Sequence, residues 1–280
     1  MPHGDVNLES APFFFSASGR SYSLLIGAEK EGNKIMMINA FEKTFGNGMW
    51  NRLSFPASNA RPIARYVAWI DIMGAKNFMW RSMPTCALFV GKLYDAVLKA
   101  NTKKCCFYFV SDGVYICDTE FENVRDLVVT VVRSCAYEFI SASNNLHRFL
   151  VRAAIAYGNT MTGSDFRGVD AKIKEGLIIG APVAWANEAE KCAPPFGIYL
   201  HESCRGLQPN PDRPIGWILN NWWGKDDLLF AKDFGKKIVE YLFWEDAHRI
   251  ETGLQHDKVS AYIDAVQEYF GLERNNGDQI

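Results

Sequence analysis

One acidic residue inside an apolar run constrains this chain more than any other feature. Residues 66–74 read Tyr66-Val67-Ala68-Trp69-Ile70-Asp71-Ile72-Met73-Gly74. Their β-branched and aromatic content and the closing glycine predict a buried strand. An unpaired carboxylate there costs several kcal/mol or stays protonated. Two readings are open: Asp71 caps the helix that follows, or it holds a cation.

A second stretch bears on that choice. Cys105-Cys106-Phe107-Tyr108-Phe109-Val110-Ser111-Asp112-Gly113-Val114-Tyr115-Ile116 predicts two strands around a tight turn at Asp112-Gly113. If the hairpin pairs beside the first strand, Asp71 and Asp112 meet. Two carboxylates around divalent cations suit phosphoryl and nucleotidyl transfer. Read alone, Asp112 is a turn residue.

The rest of the chain frames those strands. Cys86, Phe89, Val90, Leu93 and Val97 share one helical face, and Val124 to Phe139 repeat at helical spacing over four turns. Strands are expected at 149–157, ending at Gly158, at 177–180 and at 197–201, with a long loop over 159–174. Pro182 opens a helix running to about Cys192. Two further helices are expected at 230–249 and 259–272. Ahead of the core, possible strands lie at 22–26 and 34–40, with a linker near 56–62. The order predicts an α+β fold, a mixed sheet with helices on one face and a C-terminal helical extension. The expected division is 1–60 as an N-terminal extension, 61–204 as the catalytic domain and 205–280 as loops and helices packed on the core.

A net charge of −2 gives no electrostatic case for nucleic acid or an anionic membrane. No run reaches the roughly 18 apolar residues that span a bilayer. The first ten residues are polar and acidic, which does not suit a signal peptide. Seven cysteines without paired CxxC spacing suggest reduced thiols in a cytoplasmic protein.

Four motifs in order resemble the class III nucleotidyl cyclase catalytic domain, over about residues 64–203. They are Trp69-Ile70-Asp71-Ile72-Met73-Gly74, Phe109-Val110-Ser111-Asp112-Gly113, Arg152-Ala153-Ala154-Ile155-Ala156-Tyr157-Gly158, and Ile179-Gly180-Ala181-Pro182 through Ala189-Glu190-Lys191. The resemblance implies a ferredoxin-like sheet and two divalent ions, Mn²⁺ or Mg²⁺, held by Asp71, Asp112 and the carbonyl of Ile72. It also implies in-line attack of the ribose 3′-hydroxyl on the α-phosphorus, pyrophosphate departure, and a homodimer with sites at its interface. The 159–174 excursion, with Lys172 and Lys174, is the candidate arm toward the partner.

Departures from the pattern narrow the substrate. Purine cyclases of this class place Asn and Arg four apart where this chain has Ala184 and Glu188; Asn187 and Lys191 keep that spacing one turn later. The usual base-selecting Lys falls on Tyr108. The chain resembles most the bacterial pyrimidine cyclases of Pycsar anti-phage systems, which implies UTP as substrate and a separate effector protein that reads the cyclic product. Tyr66, Tyr108 and Arg65 are the candidates for limiting the base pocket to one ring, and Arg152 for neutralising phosphate. CTP, a purine triphosphate, and a non-catalytic nucleotide sensor are the alternatives.

Overall fold

The structure is a computed structural model and describes residues 13–17, 20–24, 61–101, 105–166, 170–207, 217–219, 222–223, 228–248 and 256–272. The chain divides into two compact units, Met1–Ser58 and Asn59–Ile280. In the first, β1 (Phe13–Ala17) pairs antiparallel with β2 (Arg20–Leu24). The strand expected at 22–26 therefore begins earlier, and the one at 34–40 lies outside the described residues.

The second unit is built on β3 (Ile63–Ile72), which holds the centre of a seven-stranded sheet. Helices α1 (Ala75–Arg81) and α2 (Met83–Ala100) follow, then β4 (Cys106–Val110), β5 (Gly113–Asp118) and α3 (Phe121–Ser141). Next come β6 (Val151–Thr162), α4 (Ala171–Glu175), β7 (Ile178–Gly180), α5 (Ala181–Ala189) and β8 (Ile198–Leu200). The short β9 (Trp217–Ile218) and helices α6 (Leu228–Ala247) and α7 (His256–Phe270) complete it. Strand order is β4-β5-β3-β6-β8-β9, with β7 also on β6. Among the described strands only β6 and β8 run parallel. The sheet is mixed and the fold α+β, as the sequence predicts.

Alternation along β3 sorts the two faces of the sheet. Ala68, Ile70 and Ile72 point into the main core with Val114, Ile116, Ala153 and Ile155. Helices α2, α3, α6 and α7 cover that face; Phe139 of α3 packs edge-on against Phe234 and Tyr241 of α6. Eight α3 residues are buried, at about 1.5–3 kcal/mol for each fully buried Val, Leu or Phe. A charge at Val131 breaks that packing. Ser82 starts α2, its Oγ accepting the Thr85 N–H at 3.4 Å. Val67, Trp69 and Asp71 point the other way, where Ala156, Ala186 and Val183 place β6 and the short α5.

Two expectations are corrected. The hairpin turn is Ser111-Asp112, not Asp112-Gly113: Gly113 already pairs with Val110 and Asp71, and Ser111 takes the positive φ of 55°. Gly113 is needed for its missing side chain, because a Cβ there stands 2.3 Å from the Trp69 ring. Nor does β6 end at Gly158. Residues 159–162 continue it, pairing with Ala64, Ile63 and β7. The first four residues of the excursion expected over 159–174 thus belong to the sheet, and Thr162 and Asp165 form a reciprocal cap just beyond it, with Arg65 bonded to Asp165.

Candidate active site

The ladder between β3 and β5 sets Asp71 opposite Gly113, next to Asp112 in the turn. The Ile72 N–H donates to the Asp112 carbonyl at 3.3 Å and ties the strand end to the hairpin tip. On the other side, Asp71 stands opposite Arg152 of β6. From the end of α5 come Glu190 and Lys191. Arg152 Nη2 donates to Glu190 Oε1 at 3.2 Å, and its Nε meets Oε2, in a pair with both side chains nearly buried.

Asp71 carries the electrostatic signature of the site. Burial, then the negative charges of Glu190 and Asp112, push its carboxyl up from 3.8 to about 7; Arg152 and Lys191 pull the other way and do not restore it. Burial also raises Glu190, against the pull of Arg152. A divalent cation at Asp71 and Asp112 fits this excess of poorly solvated negative charge. The donor set is small. Among the described residues no group of three or more His, Cys, Asp or Glu side chains is arranged to hold a metal. Glu190 is committed to Arg152, and the Ile72 side chain points into the core on the opposite face. From Ile72 only the backbone carbonyl is a possible ligand.

The expected base-pocket residues fall into two groups. Asn187 and Lys191 are brought to the site: Lys191 lies close enough to lower Asp71, and the Asn187 amide bonds the Tyr115 hydroxyl. Tyr66 is not. Its alternation turns it to the opposite face, against Phe121 and Tyr157. Arg65 shares the face of Asp71 but lies six residues away, roughly 20 Å along the strand. There it donates to Thr160 O at 2.9 Å and pairs with Asp165 at 3.0 Å. Tyr108 also faces this side, one strand beyond β5, buried with Val67 and Cys117 and bonded to Thr162. Lys172 and Lys174 lie in the short α4.

Tyr115 stands nearer to Asp71 than Tyr108 does. On β5 it is two residues from Gly113, hence on the face of Asp71, and its ring packs on Trp69 with centroids 4.3 Å apart. Burial raises its hydroxyl, the Asn187 bond opposes this, and the charge of Asp71 adds to it. Period-two counting forward from Gly113 is the signal that finds it.

A cavity of about 280 Å³ opens past the end of β3; neither Asp71 nor Asp112 lines it, and Arg152 is its link to them. Met73, Gly74, Lys76 and Asn77 line it from the β3–α1 connection, Arg152 from β6, and Glu245, Lys258 and Tyr262 from the C-terminal helices. Its wall thus joins β3 and β6 to α6 and α7. The Gly180 start of α5 is equally constrained, with φ 148° and a Cβ that would stand 2.5 Å from the Asn159 carbonyl. No helix among the described residues is long and apolar enough to cross a membrane.

No protein-family model matches the chain, and no curated protein matches it. Solved structures do. The monomeric guanylyl cyclase domain of the RhoGC fusion protein from the aquatic fungus Blastocladiella emersonii matches at 14% identity and a TM-score of 0.41, over 52% of this chain and 85% of that one. A bacterial light-regulated adenylyl cyclase matches at 11% identity and a TM-score of 0.47, over 69% and 64%. The guanylate cyclase domain of RhGC from Catenaria anguillulae, solved with GTP, matches at 11% identity and a TM-score of 0.44, over 56% and 96%. At these identities and scores the likeness says nothing of substrate or chemistry.

Proposed function

We propose that this chain is a nucleotide cyclase that closes UTP to 3′,5′-cyclic UMP and releases pyrophosphate. One observation carries the reading: the β3–β5 register sets Asp112 beside a half-buried Asp71 whose carboxyl is pushed up to about 7. Two acids held that way at a strand end and a hairpin tip suit a cation site better than a structural role. Asp71, Asp112 and the Ile72 carbonyl would hold Mn²⁺ or Mg²⁺. Bound there, the ions would acidify the ribose 3′-hydroxyl and offset the charge that develops on the triphosphate.

The chain's own residues do the positioning. The Trp69–Tyr115 wall and the Asn187 amide flank the place of the nucleoside. A narrow aromatic wall beside one amide suits a single pyrimidine ring. Lys76 and Lys258 face the cavity that receives the triphosphate tail, and Lys191 adds positive charge near Asp71. Arg152, locked by Glu190, shapes the floor. Ring closure is intramolecular, so holding the 3′-oxygen in line with the α-phosphorus supplies much of the acceleration. Homodimerisation, and a cyclic product read by a separate effector in anti-phage defence, belong to the same reading; specific activity should then fall on dilution below the dimer dissociation constant.

The deciding experiment incubates the protein with each of the four nucleoside triphosphates, with Mn²⁺ or Mg²⁺ and with EDTA, and resolves cyclic products by chromatography. Cyclic UMP that needs metal and both Asp71 and Asp112 supports the reading. A preference for CTP or a purine corrects the base, and triphosphate binding without turnover leaves a nucleotide sensor.

A further inference from the structure

Cys106 and Cys117 are register partners across the β4–β5 ladder. Directly opposed residues in an antiparallel ladder have Cα atoms about 4.5–5.5 Å apart. Disulfides need about 4.4–6.8 Å. The two side chains already touch through a thiol hydrogen bond. Their exposures differ sharply: β4 is the sheet edge and leaves Cys106 open to solvent, while Cys117 is buried beside Val67 and Tyr108. The adjacent Cys105 is buried in the main core, on the opposite face.

We propose that Cys106 and Cys117 form a redox-active pair that closes to a reversible disulfide when a small hydroperoxide reaches the sheet edge. The Cys106 thiolate attacks the terminal peroxide oxygen, the O–O bond breaks, and the departing oxygen leaves protonated. Cys106 is then a sulfenic acid. The Cys117 sulfur displaces its hydroxyl, which leaves as water with the Cys117 proton, and the S–S bond forms. Two thiols and one hydrogen peroxide give one disulfide and two waters.

Local electrostatics assigns the roles. The hydrogen bond from Cys117, assisted by Arg65, favours the thiolate on Cys106, while burial, Asp118 and Asp165 oppose it. Cys117 is held protonated by that same bond and by burial. The exposed sulfur attacks and the buried one resolves. The bridge would close the hairpin whose tip holds Asp112, so oxidation fixes the element that meets Asp71.

The test uses the full chain, fully reduced, treated with an equimolar amount of hydrogen peroxide, blocked with an alkylating agent and mapped by tandem mass spectrometry. The expected product links Cys106 to Cys117 with the loss of two hydrogens, is reversed by dithiothreitol, and leaves the other five cysteines alkylated. In Cys117→Ser, Cys106 should instead be trapped by dimedone as a sulfenic acid. Free alkylation of both partners after peroxide overturns the proposal. So does linkage of Cys106 to Cys105, to Cys192 or to a second chain.

Discussion

Asp71 and Arg152 stand directly opposite each other on neighbouring antiparallel strands, yet Arg152 gives its guanidinium to Glu190. Asp71 therefore faces two acids with its nearest cation already engaged. That frustration fits a site completed by metal, and it fixes the sign of a pH effect.

Asp71 has its carboxyl raised from 3.8 to about 7 by the fold. Protonated Asp71 contributes stability that is complete below about pH 4 and is lost as pH rises toward 7. Three units correspond to about 4 kcal/mol at most, and partial exposure reduces this to about 2–3 kcal/mol. In EDTA, Asp71→Asn should gain stability over the parent between pH 5 and pH 8 in urea unfolding. Saturating Mn²⁺ should close the gap by stabilising the parent. A difference that ignores both pH and metal would refute the raised carboxyl.

Asp112 and Glu190 should respond in opposite ways. Asp112→Ala removes a half-buried turn carboxylate, so stability should change by no more than about 1 kcal/mol. On the proposed function, cyclisation should nonetheless fall below about a thousandth, because a proposed metal ligand is gone. Glu190→Ala strands Arg152 without its carboxylate in a buried place and should cost about 3–5 kcal/mol. Paired unfolding curves and turnover assays separate the two. An unstable Asp112→Ala protein with normal turnover per folded molecule would exchange their roles.

Much of this site was legible in the sequence because it rests on local patterns. The period of Val124 to Phe139 fixes α3, and the apolar run around Asp71 fixes β3. The turn glycine misled, since Gly113 is demanded by the Trp69 ring rather than by backbone torsion. Gly158 reads as a strand end because glycine punctuates strands, yet pairing with β3 carries β6 past it. Alternation tells which face a residue takes but not which strand stands nearer. It therefore groups Tyr108 with Asp71, while the strand order puts β5 and Tyr115 between them. The Arg152–Glu190 pair spans 38 residues and has no local signature.

Those two tyrosines give a clean comparison. Tyr108 is buried against Val67 and Cys117, so Tyr108→Ala should cost about 3–5 kcal/mol in stability and leave base preference unchanged. Tyr115 lies on Trp69 and bonds Asn187. Tyr115→Ala widens the wall and frees the amide, and should shift the UTP-to-ATP ratio of kcat/KM by about tenfold toward the purine. A four-nucleotide panel on both variants reads the result. Selectivity lost in Tyr108→Ala and kept in Tyr115→Ala would return the wall to β4.

The appended helices carry the last prediction. Lys258 and Tyr262 lie four apart on α7 and line the cavity that Met73, Gly74 and Lys76 line from the opposite side. If the triphosphate tail occupies that cavity, Lys258 meets a highly charged group in a place with restricted solvent. A charge-assisted contact of this kind is worth about 1.5–3 kcal/mol. Lys258→Ala should then raise KM for the nucleotide about tenfold or more, with a smaller change in kcat. Inhibition by inorganic tripolyphosphate should weaken by the same factor, because that ligand lacks base and ribose. Glutamine at the same position keeps the side-chain length and loses the charge, so it should behave as alanine does; arginine should restore most of the affinity. A Lys258→Ala protein that keeps both its KM and its tripolyphosphate inhibition would place the tail elsewhere and leave α6 and α7 as packing alone.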